Sequence, residues 1–509
     1  MLNRKRTFLL GFSANNFYIV VTSLVGILSI PLGVKYFGIT RFGVWALIST
    51  VVAYLEASNL GVTTAAAALI AKSSGAPEKS AVIRRSFVLL TVLSSLTLAV
   101  FYLVSINFPN LWDAIVKIPP SVKGEAIDTL HVTATLFLIN LPLTIFYSGF
   151  VGSQQVHWER FYRVLNSIAG LIALLAVVIM KGSLVTMSVI RGVMILSVSL
   201  VAMGHFCFSC LTQKGWADGH VCTNEEFSTR SILTSGLRFF SIGIASMLIL
   251  SADNIIIGKF ISVDAVTRYF VTFKPYGIAC AFITTANAAL WPMYGKAASQ
   301  DDWAWIQKTY NGFLQLLPTL AGLVWIGGVL FSRDIISIWV NPESYAGTFV
   351  AFCLGGYCYV LSIVNTSSQF LAGMNYTKKL VCLAWVEFIV TVGLTIVLVK
   401  MIQLNGVALA KCLSPALTVL WILPIAVYLK TEKKIKADCS IIIRHFSTVV
   451  LPLLLVSVAV TVTSIDKTVY RYPIALLILM VYVILTWNIT KRLNVSYLLF
   501  IRSIMPRRV

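Results

Sequence analysis

Charge is scarce in this chain: 19 Asp and Glu and 40 Lys and Arg are spread over 509 residues, 12% in all. Soluble domains carry about 25% charged residues, so a water-exposed surface of ordinary size is excluded. Long polar segments are also missing. The longest runs from about Leu211 to Arg238, and no other break between apolar stretches is large enough to fold alone. There is no G-x-x-x-x-G-K-[ST] loop, which excludes that mode of nucleotide binding. Histidine occurs only five times, and no external loop gathers His, Arg and Asp, which argues against a membrane-embedded polymerase or acyltransferase and for a chain that is not an enzyme. The nine cysteines are odd in number and mostly lie within apolar runs, which excludes a disulfide framework. Cys207 and Cys210 form a C-x-x-C near His205, but at a helix end they read as small packing residues rather than metal ligands.

What fills the chain instead is hydrocarbon, at 58% hydrophobic residues. About fourteen apolar stretches of roughly 17 to 30 residues follow one another, each able to cross about 30 Å of bilayer. They begin near Phe12, Phe42, Ser86, Thr129, Val164, Leu184, Phe239, Tyr269, Thr309, Gly347, Val381, Gly406, Ser447 and Ile474. A backbone in lipid must satisfy its own hydrogen bonds, and the alternating ten-residue segments of a barrel are absent, so the expected class is all-α and polytopic. The run after Arg6 continues to about Val34 without a cleavage site and reads as the first span rather than a signal peptide. Basic residues cluster at Arg4 to Arg6, Lys72 to Arg85, Lys430 to Lys436 and Lys491 to Arg508. By the positive-inside rule these segments and both termini are cytoplasmic, and the net charge of +21 is a topology signal that also suits anionic lipid headgroups, not nucleic acid.

An offset of about 224 residues brings Lys35-Tyr36 onto Lys259-Phe260, Trp45 onto Tyr269, Lys72 onto Lys296 and Arg84 onto Lys308. The repeat implies two six-span lobes, 1–209 and 239–446, the second including the cytoplasmic loop that follows it. A cytoplasmic linker 210–238 joins them, spans thirteen and fourteen occupy 447–490, and an interfacial tail covers 491–509. Ile30-Pro31-Leu32, then Tyr36-Phe37-Gly38-Ile39-Thr40-Arg41-Phe42-Gly43-Val44-Trp45-Ala46-Leu47, then Asn59-Leu60-Gly61 resemble the opening of Wzx-type O-antigen flippases. These belong to the multidrug, oligosaccharidyl-lipid and polysaccharide exporter superfamily. The resemblance covers nearly the whole chain in layout and about forty residues in pattern. Relatives often carry an acid before the Leu-Gly, where this chain has Asn59, with Glu56 one turn earlier. The resemblance implies transfer of an undecaprenyl-pyrophosphate-linked oligosaccharide across the bacterial inner membrane by alternating access. It also implies polysaccharide polymerase and chain-length regulator partners. A cation-coupled drug exporter of the same fold is the alternative.

Six ionisable residues sit inside apolar segments: Glu56, Arg191, Asp253, Lys274, Glu387 and Lys411. A charge at the bilayer centre costs about 2.5 to 3.5 kcal/mol, so each is expected to face protein or a water-filled cavity. Arg191, Lys274 and Lys411 are the candidates for pyrophosphate, because a crossing phosphate needs charge-assisted donors. Snorkelling, or pairing with the buried acids, is the competing reading. Polar stripes of helical spacing, Ser49-Glu56-Asn59-Thr63 and Cys358-Ser362-Asn365-Gln369, are expected to line a chamber or to bond neighbouring helices. Glu56 and Asp253 are candidates for coupling to a proton or sodium gradient, with Asn59, Glu387, Asn365 and Gln369 as cavity residues. Pro31 with Gly33, and Pro275 with Gly277, are candidate hinges. No cofactor or metal is expected.

Overall fold

The computed structural model describes residues 2–73, 75–108, 116–211, 228–288, 290–374, 376–432, 434–435, 443, 446–462 and 468–492. Most of the expected linker and nearly all of the expected interfacial tail lie outside the described residues. The chain divides into two units, Met1–Thr267 and Arg268–Val509.

All fourteen expected stretches fall on helix, and among the described residues there is no strand. In the first unit α1 is Leu2–Leu55, α2 Val62–Lys72, α3 Ala76–Asn107 and α4 Pro120–Asn140. Then come α5 Thr144–Gly152, α6 Val156–Met180, α7 Leu184–Leu211 and α8 Thr229–Phe260. The next helix, α9 Val263–Ala288, carries the chain into the second unit. There α10 Trp291–Ser299, α11 Trp303–Trp339, α12 Thr348–Gly373 and α13 Thr377–Leu417 follow. The last three are α14 Val419–Lys430, α15 Leu451–Val462 and α16 Thr468–Arg492.

Among the described residues eight helical stretches are long and apolar enough to cross a membrane, or nine if the bent pair Gly243–Ile249 and Ser251–Phe260 is one span. Two are too long for one crossing. Ala14–Asn59, at 46 residues, measures roughly 69 Å along the helix path and breaks at Gly38 (φ 77°, ψ 170°), a conformation close to glycine-only. Lys379–Lys430, at 52 residues, breaks at Ile402 and Gln403. Helix α3 shows why such helices suit lipid. Its large apolar residues Val88, Val92, Leu96, Val100 and Leu103 are exposed along one face, while Ala81, Ser86, Leu90 and Ser94 are buried on the other. The chain is a polytopic all-α membrane protein.

The second span is interrupted halfway. After Leu55 the helix tightens into a 3₁₀ turn, Glu56–Asn59, then passes through Leu60 (φ 48°) and Gly61 (φ 72°) before α2 resumes. Gly61 is required twice over: its φ is left-handed, and a Cβ there would lie 2.2 Å from the carbonyl oxygen of Gly236 on α8. The fourth span is not broken in this way: α4 tightens into the 3₁₀ turn Leu141–Leu143, which holds Pro142, and continues into α5 with right-handed backbone throughout. Irregular backbone at membrane depth is tolerated where it is buried in protein or lines a cavity, and the break in the second span does the latter.

Candidate functional site

A polar cavity runs inside the first unit, and its walls are built by helical periodicity. Trp45, Ser49, Val52 and Glu56 lie along one face of α1 and its 3₁₀ extension; Thr133, Phe137 and Asn140 share a face of α4; Ser188, Arg191 and Ile195 share a face of α7. These line a space of about 350 Å³. A neighbouring space of about 390 Å³ is lined by Asn59, Thr63 and Ala67, by Thr144, Tyr147 and Val151 of α5, and by Glu159 and Arg163 of α6. The two share Glu56, Phe137, Asn140 and Asn166, so they form one continuous path. It is lined from Trp45 to Ala67, on both sides of the second-span break.

Electrostatics differ along the path. The Arg191 guanidinium stacks 5.2 Å from the centre of the Trp45 ring, and its Nε is buried without a hydrogen-bond partner among the described residues. Glu159, buried, pairs with Arg163 one turn on and with Arg160 Nε at 3.3 Å, and Arg160 in turn lies 5.3 Å from the Tyr18 ring centre. Glu56 is open to the space and acts electrostatically on Arg163. Asn59 Nδ2 donates to Thr63 Oγ1 at 2.9 Å, while Asn59 Oδ1 accepts from the Thr63 backbone N–H at 3.2 Å, which closes the second-span break. Asn166 Nδ2 donates to the Tyr147 hydroxyl at 3.3 Å, which sits 2.9 Å from Ser199 Oγ.

The structure therefore brings Arg191, Glu56 and Asn59 to one cavity. Asp253 is buried on α8 and acts electrostatically on Tyr54, while its neighbour Asn254 donates to Thr50 Oγ1 at 3.0 Å. In the second unit Lys274 is half-buried on α9 and Pro275 follows it. Lys411 is 2% exposed, with the rings of Phe273 and Tyr357 each centred 5.4 Å from its ammonium, and it interacts electrostatically with Glu387. The stripe on α12 meets α9: Asn365 Nδ2 donates to Thr284 Oγ1 at 2.9 Å, and Cys358 and Cys280 place their sulfurs 2.8 Å apart. Gln369 is half-buried one turn further on. Of the hinge candidates, Pro31 and Gly33 lie within α1, whose recorded break is at Gly38, and Pro275 and Gly277 lie within α9. His205 is engaged at Nδ1 with the Tyr162 hydroxyl, 2.9 Å away.

Glu159, Arg163, Asn140 and Asn166 line the path but do not stand out in the sequence. The first two look like interfacial charge where a span leaves the membrane. The signal that identifies them is spacing, since Glu159, Arg163 and Asn166 recur at four and three residues.

No family model matches the chain. Among solved structures, the lipid II flippase MurJ in an inward closed conformation superposes with a TM-score of 0.71 over 95% of this chain and 99% of its own, at 17% identity. An inward-facing multidrug resistance MATE transporter of the MOP superfamily gives 0.67 over 81% and 96%, at 15% identity. The fold is that of these two transporters. The sequence is similar to a Salmonella typhimurium protein named as a candidate O-antigen transporter, 26% identical over 219 residues, or 42% of this chain and 50% of the relative. Its Salmonella typhi counterpart of the same name is 25% identical over 217 residues, 41% and 49%. The chain spans about half the length of the curated relatives it matches. The resemblance to Wzx-type O-antigen flippases read from the first two spans agrees with the names these relatives carry.

Proposed function

We propose that this protein moves an undecaprenyl-pyrophosphate-linked oligosaccharide, an O-antigen or related repeat unit, from the inner to the outer leaflet of the bacterial inner membrane by alternating access. It does so without chemical conversion of the substrate, with both termini in the cytoplasm, and it serves a polymerase and chain-length regulator acting on the far side. The observation that carries this reading is the polar path inside the first unit. A chain of lipid-facing helices has no use for a mid-span break and a buried guanidinium nitrogen without a hydrogen-bond partner among the described residues unless a hydrophilic group enters there. Arg191 supplies a donor to the polar part of the cargo that enters the first unit's cavity, Lys274 is a candidate donor to phosphate in the second unit, and Glu56 is the candidate for coupling entry to a proton or sodium gradient.

The exporter alternative fits less well. A site for lipophilic cations calls for a predominantly acidic wall, whereas this lining has Glu56 and Glu159 against Arg163 and Arg191. The test is a deletion strain. Undecaprenyl-linked repeat units should accumulate on the cytoplasmic leaflet while surface polysaccharide is lost. Normal surface polysaccharide, in a strain with no substitute transporter, would overturn the proposal.

A further inference from the structure

We propose that the cavity inside the first unit is a saccharide-binding subsite, which receives the uncharged sugar rings of the cargo rather than its phosphates. This rests on the flippase reading above and adds where in the protein the sugars sit. Besides Glu159 Oε2, which is 3.3 Å from Arg160 Nε, three buried polar atoms on the cavity-lining residues have no hydrogen-bond partner among the described residues: Asn140 Oδ1, Asn166 Oδ1 and Arg191 Nε. Buried polar atoms left in this state require a partner that enters from the cavity. The two amide oxygens accept only and the guanidinium nitrogen donates only, so one ligand must both donate and accept. The diphosphate diester of a lipid-linked sugar has no proton to offer Asn140 or Asn166 at neutral pH, and a cation has no lone pair for Arg191. A polyol has both at every hydroxyl.

Charge and shape agree with that class. The lining holds two carboxylates and two guanidiniums, so it selects neither sign. Phe137 and Tyr147 add apolar faces of the kind a pyranose ring can lie against. Each of the two joined spaces is within the roughly 300 to 1,000 Å³ range of small-molecule sites. Water has the same donor and acceptor character as a hydroxyl, so a path holding water alone is the outcome the experiment must be able to return.

The experiment uses the full-length protein in nanodiscs carrying Ser49→Cys or Thr144→Cys, one from each end of the cavity, and follows labelling by a water-soluble methanethiosulfonate. The probe is the repeat-unit oligosaccharide released by mild acid from the host's own surface polysaccharide, free of lipid and phosphate. At a concentration about ten times its Kd, labelling at both positions should slow about tenfold, because about a tenth of the sites stay free. Labelling of Cys382, exposed in the second unit, should not change. Asn140→Ala together with Asn166→Ala should weaken the protection, and inorganic pyrophosphate should give none. Labelling that proceeds unprotected by the saccharide identifies a water path and overturns the proposal. So does a failure of the small reagent to reach either cysteine, or protection by pyrophosphate alone. Any of these results leaves the flippase reading intact if the deletion strain still accumulates lipid-linked units; normal surface polysaccharide in that strain removes the flippase reading itself.

Discussion

At the scale of single residues, the buried cations separate into two environments. Arg191 stands against Trp45 with an unpaired nitrogen beside a cavity, whereas Lys411 is enclosed by Phe273 and Tyr357 and acts on Glu387. Loss of Arg191 therefore removes a donor from open polar space, and Arg191→Ala should lower surface polysaccharide while membrane abundance stays near wild type. Lys411→Ala instead removes the ammonium enclosed by two rings and takes away the cation that acts electrostatically on half-buried Glu387. The purified variant should melt well below wild type, and the paired replacement Lys411→Met with Glu387→Gln should recover most of the loss. Equal thermal stability of Lys411→Ala and wild type would show that the pair holds nothing together. Lys274 is decided by a third comparison. If a phosphate requires only positive charge there, Lys274→Arg should keep most transport and Lys274→Gln little, at matched abundance, and equal activity would make it structural.

At the scale of elements, the breaks set the site and two glycines test them. Gly38 and Gly61 both have positive φ, but a Cβ at Gly38 meets nothing within 4 Å, while at Gly61 it meets the Gly236 carbonyl. Gly38→Ala should cost only the backbone strain, about 1 to 3 kcal/mol, and yield folded protein. Gly61→Ala adds a clash between two backbones that cannot separate without moving α2 from α8. It should fail to give a monodisperse peak in size exclusion, and a normal peak would mean that the break is not pinned there. This asymmetry also marks what the sequence can disclose. The helices are legible because each crossing needs its own run of apolar residues, and the stripe Ser49-Glu56-Asn59-Thr63 is legible because polar groups at helical spacing are costly in lipid. The break that turns the stripe into a wall is less so, since Asn59-Leu60-Gly61 signals a turn only once Gly236 is seen against it. Glu159 and Arg163 escape notice because charge at the mouth of a span is ordinary.

At the scale of the whole molecule, orientation decides which end of the cavity meets which compartment. Lys79 lies in the first turn of α3 and Lys123 in the first turn of α4. The 32 residues of α3 separate them by roughly 48 Å, more than the hydrocarbon of a bilayer, so the two lysines belong to opposite sides. In the proposed orientation, which the positive-inside rule supports through the basic segment Lys72 to Arg85, the Lys79 side is cytoplasmic. Glu159 and Arg163 follow α5, the second half of the span that begins at α4, so that orientation puts them on the same side, with Trp45 and Arg191 toward the outer half of the bilayer. Reporter fusions after Lys79 and Lys434 should accordingly be internal, and those after Lys123 and Lys467 external, with Lys467 itself outside the described residues. An external signal at Lys79 together with an internal one at Lys123 would reverse the molecule. The Glu159 and Arg163 end of the path would then open to the periplasm, and cargo loaded from the cytoplasm would meet Trp45 and Arg191 first.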